Sequence, residues 1–206
     1  MTDSPNWLYV AREIFSLSQA GIAYSTNEFD LQRYKRLQEI CAEMIAGQSL
    51  LSREAVMSTF SMQSGYATPK VDVRGAVMRD GRVLLVREKT DGKWAMPGGW
   101  ADPGDSPAQM AVREVWEESG LHVRVDKLIG VYNNMQHQPD EFFHAYKLIF
   151  QCGILSGEAH PGEETLEADF FAFEALPPLS ERRTSQRMLQ EVFAHYHDAQ
   201  RHTFYE

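Results

Sequence analysis

Three glutamates, Glu114, Glu117 and Glu118, lie within five positions of one another. On a helix, at 100° per residue, their side chains occupy an arc of about 100°. Three carboxylates so placed repel one another and lower the stability of the helix. A hard cation that prefers oxygen ligands turns this repulsion into a binding site, and Mg²⁺ or Mn²⁺ suits such a ligand set. The alternative is a solvated acidic face on an amphipathic helix.

The segment that carries the glutamates has the start and stop signals of a helix. Ser106 is placed as its N-cap, Pro107 as its first residue and Gln109 as the return partner of a capping box. Gly120 is a suitable C-terminal stop. Apolar side chains cluster on another side of this helix and are expected to face the core: Ala108, Ala111, Val112, Val115 and Trp116.

The residues around the glutamates resemble the signature of the Nudix hydrolases. That signature is Gly-x5-Glu-x7-Arg-Glu-U-x-Glu-Glu-x-Gly-U, where U is a bulky aliphatic residue. The matching positions are Gly99, Arg113, Glu114, Val115, Glu117, Glu118, Gly120 and Leu121. Asp105 stands where the family has glutamate. The preceding stretch 94–99 is also similar to the family's usual lead-in, so the match is far more specific than a lone glycine motif.

The resemblance implies an enzyme that hydrolyses a nucleoside diphosphate linked to another group, by attack of water on one phosphorus. It implies that Glu114, Glu117 and Glu118 hold one to three Mg²⁺ ions, with Mn²⁺ as a substitute, which bridge the diphosphate and activate water. The carbonyl of Gly98, or of its neighbour Gly99, is a further expected ligand, because glycine permits close approach of the backbone. Arg113, one turn before Glu117, is expected to orient the carboxylates.

Two residues are open candidates for the general base. Glu118 can act while it is bound to metal, whereas some family members use a glutamate on a loop before a late strand. Glu164, in the stretch 161–165, is the residue placed for that role, or else it is a solvated loop acid. Asp105 is one methylene shorter than the family's glutamate, so we expect a functional enzyme with altered metal affinity.

Three residues are candidates for binding the substrate. Trp100 is suited to stack on a base or ribose, although a tryptophan can equally belong to the core. Asn133 lies in a polar stretch between predicted strands, where selectivity for the substrate can reside. Arg183 belongs to a small basic group after Ser180, which either contacts a phosphate or is ordinary surface charge.

The pattern from residue 70 onward predicts an α/β (α+β) fold. Strand-like runs at 71–78 and 83–86 flank Arg79-Asp80-Gly81, a short hairpin turn. Further strands are predicted at 122–126 with an extension toward 132, at 144–152 and at 168–173, and a last helix at 185–199. Strands, helix, strands and helix in this order indicate a mixed sheet between helices, as in the α/β/α sandwich that the resemblance implies.

The first ~46 residues predict two helices. One begins after Ser4-Pro5 and ends at Gly21, and the other is capped by Asp30 and ends before Gly47. Residues 47–69 are polar and indicate a linker with at most one helical turn. Two short helices cannot bury their apolar stripes alone, so we expect a two- to three-helix N-terminal domain with its linker at 1–65, a Nudix domain at 66–206 and a homodimer.

The N-terminal segment also resembles the helical domain of some bacterial Nudix proteins described as ADP-ribose or CDP-choline pyrophosphatases. That likeness favours a CDP-choline-like substrate, with ADP-ribose as the alternative. A nucleotide sensor that kept the fold and lost turnover is the alternative from a different class, and the three retained glutamates argue against it.

Composition sets further bounds. The chain has 206 residues and a formal net charge of −9, which argues against binding of nucleic acid or an anionic membrane. Cys41 and Cys152 have no metal-site spacing and lie in apolar contexts, which predicts buried free thiols. The N-terminus resembles no secretory signal, and no apolar run is long enough to span a bilayer. A cytoplasmic protein is therefore expected.

Overall fold

The computed structural model describes residues 6–61, 65–137 and 142–206. The chain divides into two compact units. The described residues up to 69 form one unit with residues 142–144, and residues 70–137 and 145–206 form the other. Across the described ranges, no helix combines the length and apolarity that a membrane span requires.

The first unit is helical. Its helices are α1 (Asn6–Tyr24), α2 (Glu28–Gln48) and α3 (Arg53–Ser61). Its core is formed by Ala11, Phe15, Cys41, Ala42, Ile45, Val56 and Phe60, against which Phe142 and Phe143 pack. The buried face of α1 carries Leu8, Ala11, Phe15 and Ser18.

Four predictions for this unit were wrong. Helix α2 does not end before Gly47 but continues through it to Gln48. Gly21 does not end α1 but lies inside it, because the ring of Tyr34 approaches so closely that a Cβ at this position would lie 2.4 Å from it. The N-cap of α2 is Asn27, whose side chain accepts hydrogen bonds from the N–H groups of Phe29 and Asp30. A nine-residue helix, α3, occupies part of the predicted linker, because Val56 and Phe60 supply it with a buried face.

The second unit contains a mixed sheet. Its strands are β1 (Lys70–Arg79), β2 (Arg82–Glu88), β3 (Trp94–Ala95), β4 (Gly98–Trp100), β5 (His122–Asn133), β6 (Ala145–Ser156), β7 (Thr165–Phe171) and β8 (Phe204–Tyr205). Its helices are α4 (Pro107–Ser119), α5 (Asn134–His137) and α6 (Gln186–His197). The path through the sheet is β3-β2-β1-β6-β5-β8, with β4 also paired to β1 and β7 to β2. The pairing of β1 with β6 is parallel, while β1 with β2 and β5 with β6 are antiparallel.

Helices cover both faces of this sheet. Val115 of α4 packs in one cluster with Val77 and Cys152. Met188 and Leu189 of α6 pack in another, with Ala76 of the same strand, β1. Because successive residues of a strand point to opposite faces, the alternation along β1 puts α4 and α6 on opposite sides, as the predicted sandwich requires.

Most predicted strands are confirmed, including the hairpin between β1 and β2. Its turn uses positive φ angles at Asp80 (52°) and Gly81 (72°), which suit a two-residue hairpin connection. The short strands β3, β4 and β8 were not predicted. Cys41 and Cys152 are buried free thiols, as predicted, and burial raises the pKa of each to about 12.

Candidate active site

Helix α4 has the predicted ends. The Ser106 side chain accepts a hydrogen bond from the N–H of Gln109, and the Gln109 side chain accepts one from the N–H of Ser106. Pro107 is the first helical residue. Gly120 adopts the left-handed conformation (φ 69°), and its N–H donates to the carbonyl of Trp116 at 2.8 Å. At both termini of the helix that carries the glutamates, backbone groups are therefore hydrogen-bonded by residues close in sequence.

The buried face of α4 differs in part from the predicted one. Its buried residues are Met110, Ala111, Val115, Glu118 and Ser119. Trp116 was expected in the core but is 50% exposed, and its ring stacks near that of His122 at 6.2 Å. Glu118 takes a buried position, because the backbone of the lead-in segment supplies a donor to its carboxylate.

A cavity of about 950 Å³ brings together the four glutamates that the sequence singled out. Its lining residues are Arg113, Glu114, Trp116, Glu117, Glu118, Gly120, His160, Pro161, Gly162, Glu163 and Glu164. The residues from Arg113 to Gly120 belong to α4 and its C-cap, and those from His160 to Glu164 belong to the loop between β6 and β7. The cavity is strongly acidic, since five glutamates and one arginine line it.

Glu118 is the most deeply buried of the glutamates of α4. Its side chain accepts a hydrogen bond of 3.1 Å from the N–H of Gly98. Burial, reinforced by the like charges of Glu88 and Glu114, raises the pKa of Glu118 to about 8, against the opposing influence of Arg74 and the Gly98 N–H. A nearby cation would stabilise the ionised form of such a buried carboxylate.

Glycines allow the lead-in segment to approach both β1 and α4. At Gly98 (φ 146°) a Cβ would lie 2.0 Å from the carbonyl oxygen of Val73. At Gly99 a Cβ would lie 3.3 Å from a carboxylate oxygen of Glu114. Burial, followed by the like charge of Glu117, raises the pKa of Glu114. The backbone of residues 98–99 thus lies against two of the predicted metal ligands.

Arg113 pairs with two aspartates that precede the helix. Its Nη2 lies 2.7 Å from Asp102 Oδ2 and 3.0 Å from Asp105 Oδ2. Asp105, the departure from the signature, therefore still reaches the arginine despite its shorter side chain. The hydrogen bond with Asp102, and to a smaller extent the charge of Glu117, raises the pKa of Arg113. The ion pairs of Arg113 among the described residues are with the two aspartates rather than with Glu117.

The loop that carries Glu164 is packed tightly on the C-terminal turn of α4. The N–H of Gly162 donates to Thr165 Oγ1 at 2.8 Å, and that hydroxyl donates to the carbonyl of Glu118 at 2.9 Å. A Cβ at Gly162 would lie 1.7 Å from the carbonyl oxygen of Glu117. The N–H of His160 donates to the carbonyl of Ser119. These contacts explain why a loop acid distant in sequence lies beside the glutamates of α4.

The three predicted substrate residues are not among those that line the acidic cavity. Trp100 is 55% exposed on β4, with the Lys70 ammonium 5.8 Å from its ring centroid. Asn133 ends β5, and its side chain accepts a hydrogen bond from the N–H of Met135. Arg183 is engaged by Glu88 at 3.1 Å and Asp91 at 3.5 Å. Their contact with a substrate stays a prediction.

A buried charged group beneath the lead-in segment was missed by sequence reasoning. Asp72, Arg74 and Lys147 are each at most 4% exposed, and Glu88 is 8% exposed. The signal available in the sequence was the alternation along β1, which puts Asp72 and Arg74 on the same face as the buried Ala76.

The donor set fits a divalent cation. Carboxylate oxygens are the ligands that Mg²⁺ and Mn²⁺ prefer. Burial, reinforced by neighbouring carboxylates, raises the pKa values of Glu114 and Glu118, and a bound cation would favour their ionised forms. Within the described ranges, no three acidic, histidine or cysteine side chains converge closely enough to hold a metal as they stand.

This fold, with its acidic helix, defines a Nudix enzyme, and comparison with known proteins agrees. Residues 69–192 match the family model of the NUDIX domain. Residues 5–60 match a model described as "UDP-X-like, N-terminal oligomerisation domain". The Nudix match covers more than half of the chain, so the chain belongs to this family. It is a hydrolase, a pyrophosphatase of nucleoside diphosphate derivatives, and its family generally uses divalent metal ions.

Individual relatives resemble the chain over most of its length. A Bacillus subtilis (strain 168) protein that carries the provisional name ADP-ribose pyrophosphatase YjhB is 40% identical over 188 residues, which is 91% of this chain and 90% of the relative. The crystal structure of a UDP-X diphosphatase is 28% identical and covers 98% of each chain with a TM-score of 0.63. An ADP-ribose pyrophosphatase from Streptococcus suis is 32% identical, with a TM-score of 0.62 over 68% of this chain and all of its own.

Proposed function

We propose that this protein is a Mg²⁺-dependent pyrophosphohydrolase that cleaves the diphosphate of a nucleoside diphosphate-linked sugar or alcohol. The observation that carries the proposal is the cavity of about 950 Å³ in which Glu114, Glu117, Glu118 and Glu164 meet. A diphosphate is itself an anion, and the cavity is acidic, so a divalent cation is needed between the two. Mn²⁺ is the expected substitute.

The residues of the site divide into three roles. Glu114, Glu117 and Glu118 hold the metal, which when bound neutralises the diphosphate and lowers the pKa of a coordinated water. Arg113, held by Asp102 and Asp105 ahead of α4, lines the same cavity and is proposed to orient the carboxylates through its charge. Glu164 is positioned by the loop that packs on α4 and accepts the proton of the attacking water. The Gly98 carbonyl is an additional ligand.

The names of the relatives suggest the order in which substrates should be tested. Two of the three relatives described above are named for ADP-ribose and one for UDP-X, so ADP-ribose is the first substrate to test and a UDP-sugar the second. CDP-choline, which the N-terminal resemblance favoured, belongs to the same panel. Trp100 is the proposed stacking surface for a base or ribose, because it is 55% exposed at the end of β4, directly after the lead-in.

The helical segment is proposed to hold two copies together. The matching family model is described as an oligomerisation domain, and α1 exposes large apolar side chains. We assign the N-terminal helical domain and its linker to residues 1–65 and the Nudix domain to residues 66–206.

Substrate hydrolysis is tested with the full chain and Mg²⁺ against ADP-ribose, a UDP-sugar, CDP-choline and a capped RNA, with release of nucleoside monophosphate as the readout. We expect turnover of at least one nucleoside diphosphate derivative, abolished by EDTA and restored by Mg²⁺. Hydrolysis in ¹⁸O-water shows which phosphorus is attacked. Tight binding of a nucleotide without any product would instead identify a sensor.

Two single substitutions separate the metal site from the general base. Glu118→Gln removes a charged ligand, so kcat should fall by about three orders of magnitude and the Mg²⁺ dependence should shift. Glu164→Gln should lower kcat by about 10²- to 10⁴-fold and leave Mg²⁺ half-saturation unchanged. Full activity in the Glu118 variant would refute the metal-site assignment, and full activity in the Glu164 variant would return the role of base to Glu118.

A further inference from the structure

A buried ionic group lies beneath the lead-in segment of the site. Arg74 donates two hydrogen bonds to the carboxylate of Asp72, from Nε at 2.8 Å and from Nη2 at 2.9 Å. Lys147 Nζ lies 3.3 Å from the same carboxylate. The three side chains are at most 5% exposed. Burial of so many charges is costly unless the geometry is well satisfied, so this group calls for an explanation beyond stability.

Arg74 connects this group to the backbone that holds Glu118. Its remaining nitrogen, Nη1, donates to the carbonyl of Met96 at 3.2 Å. Arg74 is also in register with Gly98 across the β1–β4 pair. The N–H of Gly98 in turn binds the Glu118 carboxylate. From Asp72 to Glu118, each link is thus a hydrogen bond or a strand pairing.

The positive charge of Arg74 acts on two nearby glutamates, Glu88 and Glu118. The guanidinium of Arg74 lowers the pKa of both Glu118 and Glu88, although burial keeps both values raised. Glu88 is also paired with Arg183 at 3.1 Å. Lys147 adds a second positive charge beside Asp72, so Asp72, Arg74 and Lys147 together carry a net positive charge. Removal of Arg74 would leave Glu118 near Glu88 and Glu114 without the opposing charge of Arg74.

We propose that Arg74 is a positioning residue for the hydrolytic reaction: anchored by Asp72 and Lys147, it fixes the Met96–Gly98 backbone and thereby the carboxylate of Glu118. It does not line the acidic cavity, so it acts through Glu118 and the backbone rather than on the substrate. The proposal rests on the assignment of Glu118 to the metal site.

The test compares Arg74→Lys with the unaltered full-length enzyme. Lysine keeps the positive charge. It cannot form the bidentate hydrogen bonds to the Asp72 carboxylate and at the same time donate to the Met96 carbonyl. We expect kcat to fall and the Mg²⁺ concentration for half-maximal activity to rise, each by about 10-fold, with the KM for substrate changed less than about threefold. Arg74→Met, which also removes the charge, should lower kcat by about 100-fold.

Arg87→Lys is a matched control on the neighbouring strand β2. Arg87 also binds one carboxylate and one backbone carbonyl, with Nη1 at 2.6 Å from Glu167 Oε1 and Nε at 3.0 Å from the Gly92 carbonyl. Its contacts do not lead to Glu118, so this variant should keep the kcat and Mg²⁺ dependence of the parent. Thermal unfolding and active-site concentration are measured for every variant.

A purely structural role predicts a different pattern. If the Arg74 variants lose thermal stability but each folded molecule retains the parental kcat and Mg²⁺ dependence, the proposal is overturned. If Arg74→Met does not fold, Arg74→Lys decides the question by itself. Glu118→Gln is assayed in parallel: were it fully active, the metal-site assignment would fail, whereas loss of activity there with normal Arg74 variants would refute this inference alone.

Discussion

At the scale of single residues, the departure from the family signature proves compatible with its geometry. Asp105 is shorter than glutamate, yet its carboxylate lies 3.0 Å from Arg113 Nη2. Asp102, which the signature does not include, lies closer to the same nitrogen, at 2.7 Å. Two aspartates thus share one guanidinium, and each can hold Arg113 when the other is removed.

This shared pairing predicts a non-additive mutant cycle. Asp102→Ala and Asp105→Ala should each change kcat by less than about threefold, because exposed ion pairs contribute little individually. The double variant should lower kcat by about tenfold, since Arg113 then loses both anchors. Steady-state kinetics on the four proteins measure the coupling. Asp105→Glu keeps a carboxylate for Arg113 and should keep the kcat of the parent, while its Mg²⁺ half-saturation tests the expected effect of Asp105 on metal affinity. Strict additivity would mean that the aspartates act independently of Arg113.

At the scale of elements, the site is a helix and a loop locked together. The C-terminal turn of α4 carries Glu117 and Glu118, and the loop before β7 carries Glu164. Their contact depends on the absence of a side chain at Gly162, where a Cβ would lie 1.7 Å from the Glu117 carbonyl oxygen. The Thr165 hydroxyl also joins the loop to the helix, because it donates to the carbonyl of Glu118.

Gly162→Ala should therefore separate the loop from the helix. The added methyl group must displace backbone rather than a flexible side chain, so we expect a loss of about 1–3 kcal/mol in the free energy of unfolding. A lower kcat should accompany it, because Glu164 moves away from the metal site. Urea denaturation and steady-state kinetics measure both effects. Gly47→Ala is the control: a Cβ there meets nothing within 4 Å, and alanine in a helix should stabilise by about 0.5–1 kcal/mol.

The elements also show what sequence can and cannot predict. The ends of α4 were predicted because Ser106, Gln109 and Gly120 act on backbone within one helical turn. The predicted end of α1 was wrong because Gly21 lets the ring of Tyr34 on α2 approach closely. No local sequence pattern reveals such a contact between helices. Likewise, the glutamates of the site were found by spacing within one helix, whereas the role of Arg74 depends on strand pairings between residues distant in sequence.

At the scale of the whole molecule, two separate segments of the chain form the helical unit. Phe142 and Phe143 lie between β5 and β6 in sequence, yet they pack in the helical core with Phe15 and Phe60. The helical unit is therefore completed by a segment that belongs in sequence to the Nudix domain. A truncated chain that ends before residue 142 would lack part of this core.

Among the described residues, α1 of the helical unit also exposes an apolar stripe. Val10, Leu17 and Tyr24, spaced seven residues apart, are 38%, 62% and 74% exposed. Residues at this spacing form a stripe along one side of a helix. The stripe lies well away from the buried face that carries Ala11 and Phe15, so it is free to pack against a second copy of the chain.

Leu17→Glu should weaken the proposed dimer. A charge at the centre of an apolar interface is costly to bury, so we expect the dimer Kd to rise at least about 30-fold, which corresponds to about 2 kcal/mol. Sedimentation velocity or light scattering over a concentration series measures this change. Leu155→Glu, at a position 61% exposed on β6 of the Nudix domain, is the matched control and should leave the Kd unchanged. A parent protein that is monomeric at all concentrations, or a dimer that both substitutions affect equally, would show that this stripe is not the interface.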